Sequence, residues 1–188
     1  MEIVNAQKKI HPHKFTLWVA IGSLLMMFAG LTSAFIVKSN QTGWKTITIP
    51  SVFWVSTVAI LLSSLTIYLA KRSIAAGQLA GYRTMLGLTM ILGALFIYLQ
   101  FQGFWELWNN QQITFKGSGA GQFLYVIFGL HVLHVAGGLV PLLIIWIRSF
   151  FSKQNQTNSV PVDVAATYWH FVDLLWIYLL IFFVIIGQ

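Results

Sequence analysis

The sequence predicts an all-α membrane bundle of five transmembrane helices, on two observations. Of its 188 residues 57% are hydrophobic and only 8% are charged, whereas a soluble domain carries about a quarter charged residues, most of them on its surface. The apolar residues also fall into five runs, at 14–37, 52–70, 84–103, 121–147 and 167–187. At about 1.5 Å per residue, each comes close to or exceeds the roughly 30 Å of a bilayer's hydrocarbon core.

The first run follows a polar tail, residues 1–13, that holds His11 and His13. It is about twice as long as the apolar core of a signal peptide, and no small-residue cleavage site follows, so it is expected to remain as an anchor. The second and third runs are divided by KRSIAAGQLAGYR, and the third ends in FWELWNN. In the fourth, Gly129, Gly137 and Gly138 permit close helix approach and Pro141 is a kink position. The fifth follows RSFFSKQNQTNSVPVDVAA, whose Asn, Ser and Pro interrupt helices. No connecting segment is large enough to fold alone, and no internal repeat stands out, so residues 14–188 read as one domain.

Cationic loops resist translocation and stay on the cytoplasmic side. Lys8, Lys9, Lys14, Lys71, Arg72, Arg83, Arg148 and Lys153 fall on one side of the five-span layout, and Lys38, Lys45 and Lys116 on the other. The N-terminus is therefore expected in the cytoplasm and the C-terminus outside. The net charge of +7 then suits anionic lipid headgroups, with Lys14, Lys71, Arg72 and Arg83 as the candidates to meet them. Nucleic acid is not an expected partner. With no cysteine, disulfides and thiolate metal sites are excluded.

Ionisable groups inside a membrane are costly and call for a reason. His131 and His134 lie three apart in GLHVLHVAGG of the fourth run, and His170 and Asp173 three apart in the fifth; each pair shares a helix face. Metal or haem ligation is one reading of the histidines and a hydrogen-bonded packing group the other. Packing is preferred, because a di-iron site needs about eight clustered histidines and a haem needs two at one depth on two helices. For Asp173 the alternatives are a proton relay and an anchor between helices, and the anchor is preferred because no ladder of carboxylates crosses the membrane. Gln100, Trp105, Glu106 and Trp108 close the third run, where aromatic belts form, and are expected to be interfacial. No catalytic, cofactor or metal site is expected in this chain.

The fifth run, with YWHFVDLLWIYLLIFFVII, resembles the last helix of subunit III of haem-copper oxidases, the cytochrome c oxidase and quinol oxidase subunit 3 family. FGLHVLHVAGG is similar to that family's Gly-Phe-His-Gly-Leu-His-Val motif, with Leu130 in place of Phe and Val132 in place of the second Gly. LGALFIYLQFQGFWEL and TVAILLSSLTIYLA also resemble family segments, so the likeness runs from about residue 14 onward. The five runs match the last five helices of the seven-helix form, as in shortened bacterial versions. One departure falls at Leu24, where the family usually has Glu, which removes the membrane carboxylate attributed to subunit III.

The resemblance implies a subunit without redox centres, packed on catalytic subunit I beside subunit II in a bacterial cytoplasmic membrane. Haem and copper are expected in the partner subunits, and phospholipid in a cleft of this one. It also implies support for proton uptake and turnover in aerobic electron transport, with a respiratory supercomplex as a further setting. A quinol oxidase subunit III or a nitric oxide reductase accessory subunit is the alternative within the class. A stand-alone transporter or a membrane haem protein is the alternative from another class; neither the repeats nor the broken helices of a transporter appear.

Depth along the fourth and fifth helices gives one specific expectation. With helix five starting near residue 167, Asp173 stands about 9 Å above its start, at about the level of His134. His134, more than His131, is then expected to be tied to Asp173 or His170, directly or through one water, while His131 meets a neutral partner.

Overall fold

The computed structural model describes residues 12–39, 48–110, 119–151 and 160–186, and in it each apolar run is an α-helix. These are α1 (Pro12–Ser39), α2 (Val52–Ala75), α3 (Leu79–Asn110), α4 (Gly119–Phe151) and α5 (Val160–Ile186). All five are long and apolar enough to cross a membrane, which makes this a multi-pass membrane protein. Most of the tail 1–13, and Lys45, Lys116 and Lys153, lie outside the described residues.

The helices run past the apolar windows that mark them. α5 begins at Val160, not near 167, because its first turn is polar and hides the start from a hydrophobicity reading. Pro161 fits a first turn, whose N–H groups have no helical acceptor. Asp163 in that turn faces the positive end of the helix. α4 continues through Pro141; the carbonyl that loses its partner there belongs to Gly137, one turn back.

α2 and α3 share the most extensive interface of the bundle. Their link is a Schellman turn: Gly77, at φ 71°, sends its N–H to Ile74, and Gln78 sends its own to Ser73. Only glycine takes this left-handed position without strain. The buried residues then repeat in alternating steps of three and four. They are Phe53, Ser56, Ile60, Ser63, Ile67 and Ala70 on α2, facing Tyr82, Leu86, Thr89, Gly93, Phe96, Gln100, Gly103 and Leu107 on α3. That spacing is the seam of an antiparallel coiled coil. Glycines at two of its positions bring large rings close. A Cβ on Gly93 would lie 2.8 Å from the Trp169 ring, and one on Gly103 2.7 Å from Phe53.

α5 is the central helix, packed on α2, α4 and α1, with half of its most apolar window buried against 22% for α1. Its heptad face of Val162, Ala166, Trp169, Asp173, Trp176, Leu180 and Phe183 lies within the core. α1 lies to one side, tied to α5 by Thr32 Oγ1 and the Tyr178 hydroxyl at 3.1 Å and by Phe35 packed edge-on to Phe183. Neighbouring pairs α2–α3, α3–α4 and α4–α5 are antiparallel. Lys14, Lys71, Arg72, Arg83 and Arg148 accordingly collect at one end of the bundle, the basic end, with Lys38 at the other.

Candidate functional site

The polar groups inside the bundle line the faces where α5 meets α2 and α4. Thr57 Oγ1 accepts from Trp176 Nε1 at 2.9 Å, and Ser63 Oγ accepts from Trp169 Nε1 at 2.9 Å. Ser64 Oγ stands 2.6 Å from His170 Nδ1. Between α2 and α3, Thr66 and Thr89 share a hydrogen bond of 2.8 Å, and Gln100 Nε2 donates to Ser56 Oγ at 3.0 Å. Most of these hydroxyls also donate to a carbonyl three or four residues back in their own helix, as Ser56 and Thr57 do to Phe53 and Thr89 does to Met85. Each thus keeps a lone pair free to accept from a neighbouring helix.

The direct tie expected between His134 and Asp173 or His170 is not made. His134 Nδ1 donates to the Leu130 carbonyl at 2.6 Å, within α4, and the His134 carbonyl accepts from the Tyr168 hydroxyl at 3.1 Å. His170 turns to α2 and Ser64. Neither carboxylate oxygen of Asp173 has a hydrogen-bond partner, although the residue is only 3% exposed. The register accounts for the miss. With α5 starting seven residues earlier than expected, Asp173 gains about 10 Å of height. Tyr168 meets His134 while Trp176 meets His131 and Phe128, which puts Asp173 nearer the level of His131.

His131 is fully buried and stacks on Trp176 at 5.3 Å, with Phe28 and Phe96 edge-on at 6.3 and 5.9 Å. The neutral hydrogen-bond partner expected for it is not there; both ring nitrogens are without one. Phe28 also faces His134, at 5.9 Å, so an aromatic residue of α1 covers the histidine pair one turn from Leu24.

Gln100 is not interfacial. It is fully buried, because it falls in phase with Phe96, Gly103 and Leu107 on the α3 seam, a spacing already present in the sequence. Trp105 and Trp108 do stand exposed at the end remote from the basic rim, at 72% and 43%, and Glu106 beside them is half-buried. With Phe101, Phe104 and Tyr125 the two tryptophans line a cavity of about 370 Å³.

At the basic end, Lys71 Nζ meets Asp163 Oδ1 at 3.0 Å, and Lys14 borders the same cavity of about 200 Å³. Through Leu17 and Val164 this cavity adjoins an apolar groove of about 520 Å³ that runs between α1, α4 and α5 past Tyr168 to Pro141. Arg72 is exposed. Arg83 is folded inward: its guanidinium donates twice to the Ser149 carbonyl and lies 4.9 Å over the Phe150 ring. Because the Lys71–Asp163 pair is part-exposed, Lys71→Met is expected to lower stability by less than about 1 kcal/mol; a melting curve of the detergent-solubilised protein checks this.

Among the described residues no three His, Asp or Glu side chains converge as a ligand set. The family model of cytochrome c oxidase subunit III matches residues 13–188. A probable cytochrome c oxidase subunit 3 of Mycobacterium leprae is 31% identical over 163 residues, covering 85% of this chain and 80% of that one. The cytochrome c oxidase subunit 3 of Bacillus subtilis is 27% identical over 175 residues, covering 91% and 84%. One from Nocardia farcinica, described as probable, is 30% identical over 162 residues, covering 84% and 79%. With five membrane-spanning helices and a match over nearly its whole length, the chain belongs to the cytochrome c oxidase subunit III family.

Proposed function

We propose that this chain is the third, non-redox subunit of a respiratory haem-copper oxidase in a bacterial cytoplasmic membrane. It packs on the catalytic subunit with its N-terminus and basic end in the cytoplasm, holds phospholipid, and supports proton uptake and turnover. The observation that carries the reading is the family match across residues 13–188. The arrangement of the histidines supports the absence of a redox centre: His134 and His170 each commit Nδ1 to a neighbour, and His131 is enclosed by three aromatic rings. Haem and copper are assigned to the partner subunits. Purification through a tag on this chain should recover a large subunit carrying haem and copper. Recovery of the chain alone, with a Soret band of its own, would refute the assignment.

Lipid binding rests on the groove and the cavity beside it. A phosphate at Lys14 and Lys71 would leave an acyl chain free to lie along Leu17 and Val164 into the apolar groove. Each surface cation contributes about 1 kcal/mol to holding an anionic headgroup, so replacing both lysines with Gln is expected to weaken retention of that lipid by roughly thirtyfold. Native mass spectrometry of the complex reads the bound lipid directly. Equal retention in the double variant would remove the site.

A further inference from the structure

Three α2 hydroxyls face α5, and each is matched by a ring nitrogen: Thr57 by Trp176, Ser63 by Trp169, Ser64 by His170. Asp173 occupies the one step of this series that is not paired. By the register of its neighbours, the α2 residue at its level is Ile60, fully buried and aliphatic. Ser64, one turn toward the basic end, is the donor nearest Asp173, although neither carboxylate oxygen completes a hydrogen bond in this structure. Beyond Asp173 the core closes on Trp176, Phe96, Phe128 and Phe53, all buried. Toward the basic end burial falls instead, to half-buried Ser64 and His170 and, two turns further along α5, to the part-exposed Lys71–Asp163 pair at the rim.

A carboxylate with no cation beside it cannot rest in such a place at low cost. A protonated carboxyl can, since it is neutral and carries a hydrogen-bond donor of its own. We propose that Asp173 is a one-sided proton site, loaded and unloaded from the basic end through Ser64 and His170. A small rotation of the carboxyl, or one bridging water, closes its gap to Ser64. In unloading, the Asp173 O–H proton passes to Ser64 Oγ as the Ser64 proton passes to His170 Nδ1. His170 Nε2 then releases its proton to a water that reaches its half-buried ring from the basic end, and a carboxylate is left behind, facing the Ser64 hydroxyl. Loading is the reverse, and no other reactant is needed. The aromatic plug makes the site a store and not a channel.

The titratable groups around it are few. α5 itself supplies His170 and, at the rim, Asp163. α2 supplies Lys71, and α4 supplies His131, stacked on Trp176, and His134, committed to Leu130. At this level α1 and α3 present Phe28 and Phe96 and no titratable side chain.

Infrared spectroscopy of the intact oxidase complex tests this. At neutral pH the complex should show a protonated-carboxyl C=O band that is lost in Asp173→Asn, shifted in Asp173→Glu, and downshifted when the complex is moved into D2O. Ser64→Ala and His170→Phe keep Asp173 and should keep the band, but slow its deuterium shift by about a hundredfold, the scale of one positioned proton-transfer group. The proposal is overturned if no band responds to either change at Asp173, or if the shift is as fast in both Ser64→Ala and His170→Phe as in the unaltered complex. Should Asp173→Asn fail to assemble, Asp173→Glu still assigns the band, and the two relay variants still decide.

Discussion

Trp176→Ala is expected to destabilise the protein by about 3–5 kcal/mol, the range for emptying a large aromatic site in a packed core. Trp176 is fully buried, with ring centroids of Phe96, His131, Phe128 and Phe53 at 5.2, 5.3, 5.4 and 6.0 Å. Its Nε1–H also reaches Thr57, so the truncation removes contacts to α2, α3 and α4 at once. Within a membrane, helix association rests on such packing and on interhelical hydrogen bonds, because lipid tails are as apolar as the core. The loss should appear as a lower melting temperature of the detergent-solubilised complex and as dissociation of this chain during purification. Trp176→Phe keeps a ring and gives up the hydrogen bond, and should cost only about 1 kcal/mol of that bond plus some packing. Unchanged retention and melting of Trp176→Ala would contradict this account of the core.

Gly93→Ala is expected to cost about 1–3 kcal/mol through overpacking. The new methyl would lie 2.8 and 2.9 Å from Trp169 ring carbons and 3.0 Å from Leu139 Cδ2. Those ring atoms are buried and Nε1 is held by Ser63, so the ring cannot swing away without losing its bond. The same change at Gly137, where a Cβ would meet nothing within 4 Å, should be close to neutral or stabilising, since alanine is the better helix former. Trp169→Phe removes the atoms in the way. In a double-mutant cycle, Gly93→Ala should therefore cost less when combined with Trp169→Phe than alone, with a coupling of at least about 0.5 kcal/mol. Additive costs would show that the clash is relieved elsewhere.

The number of helices was legible because each apolar run is long and the segments between are short. Helix starts were less so: the first turn of α5 is built from Pro161 and Asp163, which satisfy helix ends without being apolar. That one boundary carried the depth of Asp173 with it, and so decided which histidine it stood beside. Gln100 was misplaced for a different reason. Its nearness to Trp105 and Trp108 suggested an interface, while its three-and-four spacing from Phe96 and Gly103 pointed inward, and the spacing is the stronger signal on a helix paired along its whole length. Ser64 could not be found as the partner of His170 from sequence, because that contact joins residues 106 positions apart and depends on the register between α2 and α5.

The hydrogen bond between Gln100 and Ser56 bears on how the chain enters a bilayer. Ser56 already satisfies its own hydroxyl proton within α2, on the Phe53 carbonyl; Gln100 has no such local outlet, and its amide donates across to α2. At this pair α2 therefore presents a hydroxyl whose donor is already quenched, whereas α3 on its own would carry the bare Gln100 amide into hydrocarbon. Synthesis delivers them in the helpful order: α2 emerges first, and the tight Gly77 turn delivers α3 beside a ready acceptor. The two spans are thus suited to leave the insertion machinery together, as a preformed hairpin.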